Sequence, residues 1–153
     1  MVGSADEGFP MPRHSTRRVP RARIDPIDCA GEALAVMSIA VARPHVAETI
    51  AILLDDARRG LTIVNAAGTV HPDAMFDVLD HCMLSCELED FAAVILVTVR
   101  PGGSIEPCDI DRWFEASEQC ALLGLELVEW FVVCGDAIVC PRDLVGEPPR
   151  WRY

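Results

Sequence analysis

The residues that could carry chemistry in this chain cluster around one stretch, from Ala92 to Asp111. The stretch begins with an apolar run rich in β-branched side chains, which predicts a strand buried on both faces and therefore central in a sheet. It breaks at Pro101-Gly102-Gly103 and continues to Pro107-Cys108-Asp109, which predicts a loop followed by the start of a helix. Because α/β proteins place their sites where strands end and helices begin, polar residues here are candidates for a functional site.

The order and spacing of these residues resemble the RadC branch of the JAB/MPN (JAMM) metallopeptidase-like family. That family has an upstream Glu, then His-x-His, seven residues, Ser, two residues and Asp. Laid on this chain, the pattern falls on five residues that we interpret as a vestigial site: Glu48, Thr98, Arg100, Cys108 and Asp111.

Other segments between Asp25 and Leu144 support the resemblance. They include Ala67-Gly68-Thr69, Val70-His71-Pro72 and, downstream, Gly135-Asp136. The resemblance implies an α/β fold, with a JAB/MPN-like (cytidine-deaminase-like) mixed sheet of about five strands flanked by helices. It also implies zinc as the cofactor of active members.

The ligand positions depart from the family pattern. A catalytic zinc needs three protein ligands and a water, and imidazoles are the neutral donors that suit it. Thr98 is a poor ligand, and the Arg100 guanidinium stays protonated and repels a cation. We therefore expect no metal and no other cofactor. The resemblance then suggests a catalytically inactive binding or protein-interaction module, by analogy with inactive MPN domains that act as scaffolds.

The position of Arg100 admits two interpretations. In the first, its guanidinium lies between Glu48 and Asp111 and replaces the metal electrostatically, because two buried carboxylates without a cation are costly. In the second, Glu48 and Asp111 are merely an exposed strand-end residue and a helix-cap residue, with Asp111 in the first turn, where acids are favoured.

The alternative function is a residual hydrolase that uses Glu48 and Asp111, with or without a differently placed metal, or that uses a Cys108 nucleophile. A helix N-terminus and a nearby Arg100 would lower the pKa of the Cys108 thiol. A cysteine nucleophile also needs a base, however, and no histidine falls on the matched motif: His14, His45, His71 and His81 all lie elsewhere. We therefore favour a packed or capping role for Cys108. A third hypothesis is that the cleft which is catalytic in active family members binds a small ligand here.

Charge is distributed unevenly along the 153 residues, whose net charge is −11. Residues 1–24 hold five arginines against Asp6 and Glu7, so we predict a disordered basic tail ahead of a domain at 25–145 and a surface tail at 146–153. The acidic body argues against nucleic acid, although the Arg-rich tail could touch it. No apolar run approaches the roughly 18 residues of a membrane span, and no signal peptide is evident, so we expect a cytoplasmic protein. The partner is unspecified, and self-association is compatible with the composition.

Periodicity predicts the remaining elements. One helix carries Cys82 and Cys86 on its apolar stripe beside His81, which suggests either a metal or redox pair or simple core packing, and we favour packing. The predicted helices cover 25–41, a segment starting at Pro72, and 109–123, and the other strands cover 48–54, 61–67, 125–134 and 137–140.

Overall fold

The computed structural model of the protein describes residues 18–85 and 90–152. Most of the predicted basic tail and Cys86 lie outside these ranges. The described chain contains four helices and five strands. The helices are α1 Ala30–Ala40, α2 Ala74–Ser85, α3 Asp109–Leu122 and α4 Pro141–Leu144, and the strands are β1 Glu48–Leu54, β2 Gly60–Ala67, β3 Ala93–Arg100, β4 Glu126–Cys134 and β5 Ala137–Val139.

The five strands form one mixed sheet in the order β2-β1-β3-β4-β5. Strand β1 runs antiparallel to both of its neighbours, β3 and β4 are parallel, and β5 returns antiparallel to β4. Helix α3 provides the crossover that a parallel pair requires. The predicted α/β class, with a mixed sheet of five strands flanked by helices, is confirmed.

Two apolar cores cover the two faces of the sheet. Alternate side chains of β3 point to opposite faces, so Ile95 and Val97 belong to one core, while Val94 and Leu96 belong to the other. Helix α1 packs on the first face, and α2 and α3 pack on the second. The central strand is therefore buried on both faces, as its composition predicts.

Helix α1 is shorter than the predicted helix because its first residues are extended. Pro26 bridges Arg59 in an antiparallel pairing, and the Ile27 N–H donates to the Arg58 carbonyl at 2.7 Å. These contacts tie the entry segment to the β1–β2 turn. Nearby, Arg18 and Arg21 both pair with Asp25.

Two side chains of the predicted surface tail contact the body of the domain. The Trp151 ring stacks on Phe131 with a centroid distance of 6.5 Å, and the Arg150 guanidinium lies 4.4 Å from the centroid of the buried Trp113 ring. Aromatic and cation–π contacts of this kind hold the segment against the two cores.

On α2, the prediction that Cys82 packs in the core is confirmed. Cys82 is fully buried in the core between α2 and the sheet, whereas the neighbouring His81 is exposed. No helix in the described part of the chain has the length and apolar character that a membrane span requires.

Candidate functional site: a buried ion-pair network

The site is centred on an ion pair between Arg100 and Asp109. Arg100 is the last residue of β3, and Asp109 is the first residue of α3. The Arg100 Nη1 and Nη2 atoms donate to Oδ2 and Oδ1 of Asp109 at 2.7 and 2.9 Å. The Asp109 side chain is 0% exposed and that of Arg100 is 12% exposed. This bidentate geometry is the strongest form of an arginine–carboxylate contact.

The short loop between β3 and α3 completes the coordination of both groups. The Arg100 Nη1 also donates to the Ser104 carbonyl at 3.0 Å, and the Glu106 N–H donates to Asp109 at 2.6 Å. Gly103 allows the loop to pass close to Arg100, because a Cβ at position 103 would lie only 2.9 Å from the Arg100 Cβ. The loop is therefore shaped around the ion pair.

A second arginine extends the network to α2. The Arg112 Nη1 donates to both Asp109 and Glu106 at 2.8 Å, and its Nε donates to Asp73, just before α2, at 2.8 Å. Two guanidinium groups are thus matched by three carboxylates. The network joins the end of the central strand to the N-terminal ends of two helices.

The network shifts the pKa values of its members. Burial by itself would raise the pKa of the Asp109 carboxyl, but the hydrogen bonds from Arg100, from the Glu106 N–H and from Arg112 outweigh it and lower that pKa. The hydrogen bond to Asp109 raises the pKa of Arg100, against the opposing effect of burial. Both groups are therefore charged at neutral pH.

Glu48 does not join Arg100, so the first interpretation of the arginine is wrong. In the sheet, Glu48 lies opposite Val99, whose side chain belongs to the core under α1. Paired residues share a face, and successive residues of a strand alternate, so Glu48 and Arg100 point to opposite sides. Glu48 is 1% exposed, and its Oε2 accepts from the Ala42 N–H at 2.8 Å.

Asp111 is also absent from the ion pair. It is exposed in the first turn of α3, two residues after Asp109. Residues two apart on a helix lie on different faces, so the helix that buries Asp109 turns Asp111 outward. The second interpretation is thus correct for Asp111 and wrong for Glu48, which is buried.

Thr98 and Cys108 differ in their surroundings. The Thr98 hydroxyl lies in the core on the α3 side, where it accepts a hydrogen bond from Trp130 Nε1 at 2.9 Å. Cys108 occupies the N-cap position of α3, but it is exposed and its side chain makes no capping hydrogen bond. The packed or capping role that we favoured for Cys108 is therefore wrong.

The five residues of the family pattern do not fit a zinc ion. Glu48 faces the opposite core, Asp111 faces outward, and the positive charge of Arg100 is paired with the buried Asp109. Within residues 18–85 and 90–152, no group of three His, Cys, Asp or Glu side chains is placed to hold a metal ion. The ion-pair network of Arg100, Asp109 and Arg112 links β3 to α2 and α3. Among the five residues of the family pattern, no nucleophile is hydrogen-bonded to a base.

A cleft of about 380 Å³ lies beside the network. Thr69, Val70, Arg100 and Ser104 are among the residues that line it. Next to it, the Thr49 hydroxyl is 2.8 Å from that of Thr69. Both Nη atoms of Arg100 already donate to Asp109 or Ser104, and the charge of the guanidinium is matched by the Asp109 carboxylate.

Asp109 is the residue that sequence reasoning missed. It lies on the buried stripe of α3 with Trp113, Ala116 and Cys120, at helical spacings of four, three and four. A carboxylate on the buried stripe of an amphipathic helix requires a cationic partner. That signal, read together with the arginine at the end of the preceding strand, could have identified the pair.

The fold and the site define an α/β domain whose central strand is joined to its helices by buried ions. Comparisons of the sequence with models of protein families and with curated proteins found no match. Its function is therefore argued from the geometry of the described residues.

Proposed function

We propose that the chain is a catalytically inactive, metal-free RadC/JAB-like domain that serves as a protein-interaction module. The observation that carries this proposal is the bidentate contact of Arg100 with the fully buried Asp109. In the family pattern, Arg100 takes the place of a zinc ligand. Here a permanent cation satisfies the buried carboxylate, so the site has no electrostatic need of a metal.

The edge of strand β2 supports an interaction role. Its eight residues contain no charged side chain and no proline, although charges and prolines are the usual protection of an edge strand. Its first residue is covered by the entry segment, where the Arg23 N–H donates to the Gly60 carbonyl at 2.8 Å. Beyond that point, no described strand pairs with the outer edge of β2.

An apolar groove of about 360 Å³ runs beside this edge. Its walls come from α1, from β2 and from the entry segment, and its apolar members include Val19, Val36, Ile39, Leu61 and Ile63. Ile39 and Ile63 are 68% and 47% exposed. Adjacent exposed apolar side chains at an unpaired strand are typical of a protein-binding surface.

The occupant that we propose is the β2 strand of a second copy of the chain. Antiparallel pairing of two identical strands gives a closed two-fold dimer, the commonest oligomer symmetry. Two chains of net charge −11 repel each other, and this repulsion is smallest where the meeting strands are uncharged. Pairing would also cover Ile63 on both copies.

Metal content tests the first half of the proposal. Elemental analysis of protein purified without a histidine tag should find far less than one zinc per chain, and chelator should leave the unfolding midpoint unchanged. Stoichiometric zinc in the natural protein would overturn the proposal. A Thr98→His, Arg100→His variant extends the test, because any zinc it gains should depend on Asp109, the carboxylate that Arg100 releases, and not on Asp111.

Sedimentation velocity over a range of concentrations tests the second half. The natural chain should form a dimer, and Ile63→Arg should shift it to monomer by placing like charges in the interface. Leu122→Arg is the matched control, because Leu122 is exposed at the far end of α3. If the natural chain stays monomeric, or if the Ile63→Arg dimer remains intact, the proposal that the β2 edge forms the dimer interface is wrong.

A further inference from the structure

A second cleft lies on the α1 face of the sheet, apart from the ion-pair network. It has a volume of about 190 Å³, which is below the range of drug-sized pockets and suits a smaller molecule. Three segments meet there: the end of α1, the loop that follows it, and the β4–β5 hairpin. The lining residues are Met37, Ser38, Val41, Arg43, His45, Val133, Gly135, Asp136 and Ile138.

Arg43 is distinctive among the arginines of residues 18–85 and 90–152. Every other arginine in these ranges makes a hydrogen bond, an ion pair or another polar or ring contact. Arg43 is exposed and has no such contact with any described residue. In a chain with 24 acidic residues, an arginine without an acidic partner marks a place that can receive an external anion.

Asp136 is the opposite charge in the same cleft. It lies in the turn between β4 and β5, is exposed, and forms no hydrogen bond or ion pair with a described residue. Arg43 and Asp136 also do not pair with each other, so their charged atoms are more than 4.0 Å apart. The cleft is therefore lined by one positively charged and one negatively charged side chain that do not contact each other.

The rest of the lining is mostly apolar, and its other polar side chains are those of His45 and of Ser38, whose hydroxyl donates to the Ala35 carbonyl at 2.8 Å. Met37, Val41, Val133 and Ile138 supply apolar surface. Helix α1 ends at Ala40, so its last turn presents the negative end of the helix dipole toward this region.

We propose that this cleft binds a small zwitterion with an apolar side chain, such as a free aliphatic amino acid. Its carboxylate pairs with Arg43, its ammonium group pairs with Asp136, and its side chain covers the apolar floor. The site shares no residue with the Arg100 network or with the β2 edge. The inference therefore stands independently of the proposed interaction role.

Calorimetric titration with L-leucine, L-valine and L-methionine tests the proposal on the full chain. At least one should bind saturably at concentrations up to about 10 mM. For the best of the three, the matched carboxylic acid without the amine and the matched amine without the carboxylate should each bind at least about tenfold more weakly. Absence of saturable binding by all three overturns the proposal, and so does an acid that binds as well as the amino acid, since that result defines a simple anion site.

Two variants locate the binding. Arg43→Gln and Asp136→Asn should each weaken it at least about tenfold, whereas Arg18→Gln and Asp77→Asn remove exposed charges elsewhere and should leave it unchanged. All four positions are exposed, so the variants should keep the natural unfolding midpoint. Binding that persists in Arg43→Gln or in Asp136→Asn places the ligand elsewhere and overturns the assignment.

Discussion

Glu48 begins β1 and Arg100 ends the neighbouring β3, so both lie at the same end of the sheet, yet their side chains point to opposite faces. Glu48 lies opposite Val99 in the β1–β3 ladder and accepts a hydrogen bond from Ala42, on the α1 side. Arg100 turns to the other side, where it contacts Asp109 of α3. One residue of register thus separates two charged groups into different cores.

Removal of the Asp109 charge should destabilise the fold strongly. Asp109→Asn leaves the Arg100 guanidinium buried without a full countercharge, and breaking a buried pair from one side costs about 3–5 kcal/mol. Urea denaturation followed by circular dichroism measures the free energy of unfolding. The control is Asp111→Asn, which lies on the exposed side of the same turn and should stay within about 0.5 kcal/mol of the natural protein. Equal effects of the two substitutions would contradict the structural role of the pair.

The free energy of unfolding should fall in acid because the Asp109 carboxylate becomes protonated. The pKa of Asp109 is lowered in the folded state, so its contribution is complete above the pKa of the unfolded chain, near 3.9, and is lost as the pH falls through the lower folded value. Asp25 and Asp55 also have lowered pKa values and add to the acid loss. The difference in free energy of unfolding between the natural protein and Asp109→Asn isolates Asp109. That difference should narrow below about pH 4, and a constant difference down to pH 2 would contradict the prediction.

Glu48 should matter for stability as a hydrogen-bond acceptor and not as a charge. Glu48→Ala leaves the Ala42 N–H without its partner and should cost about 1–3 kcal/mol, with an added cost for the cavity. Glu48→Gln keeps a side-chain oxygen at the same position and should cost less. Thermal unfolding of both variants under identical conditions measures the difference. A Gln variant as unstable as the Ala variant would show that the charge itself is required.

The elements of the fold were predictable from local patterns, because each pattern reports burial directly. The run from Ala93 to Val99 is apolar at every position except Thr98, and only a strand covered on both faces buries such a run. The boundaries of elements were harder to predict. The residues from Pro26 to Cys29 continue the apolar spacing of α1, but backbone pairing with the β1–β2 turn holds them extended.

The partner of Arg100 was not predictable from motif spacing alone. The spacing of the family pattern selects Asp111, whereas the helix period places Asp109 on the buried stripe with Trp113. Register between β1 and β3 is likewise a tertiary property, and it decides which face Glu48 occupies. The expectation that Arg100 neutralises a buried carboxylate was thus correct, but the carboxylate is that of Asp109 and not those of Glu48 and Asp111.

Thiol accessibility should separate Cys108 from the core cysteines. Cys108 is exposed, whereas Cys82 and Cys120 are buried, and burial raises the pKa of the Cys120 thiol to about 12. The thiolate is the reactive form, so at pH 8 alkylation by iodoacetamide should be at least about a hundredfold slower at Cys120 than at Cys108. Peptide mapping by mass spectrometry after timed quenching gives the rate at each position. In concentrated urea both positions should react at similar rates, which serves as the control for intrinsic reactivity, and equal rates in the native protein would contradict the described packing of α3.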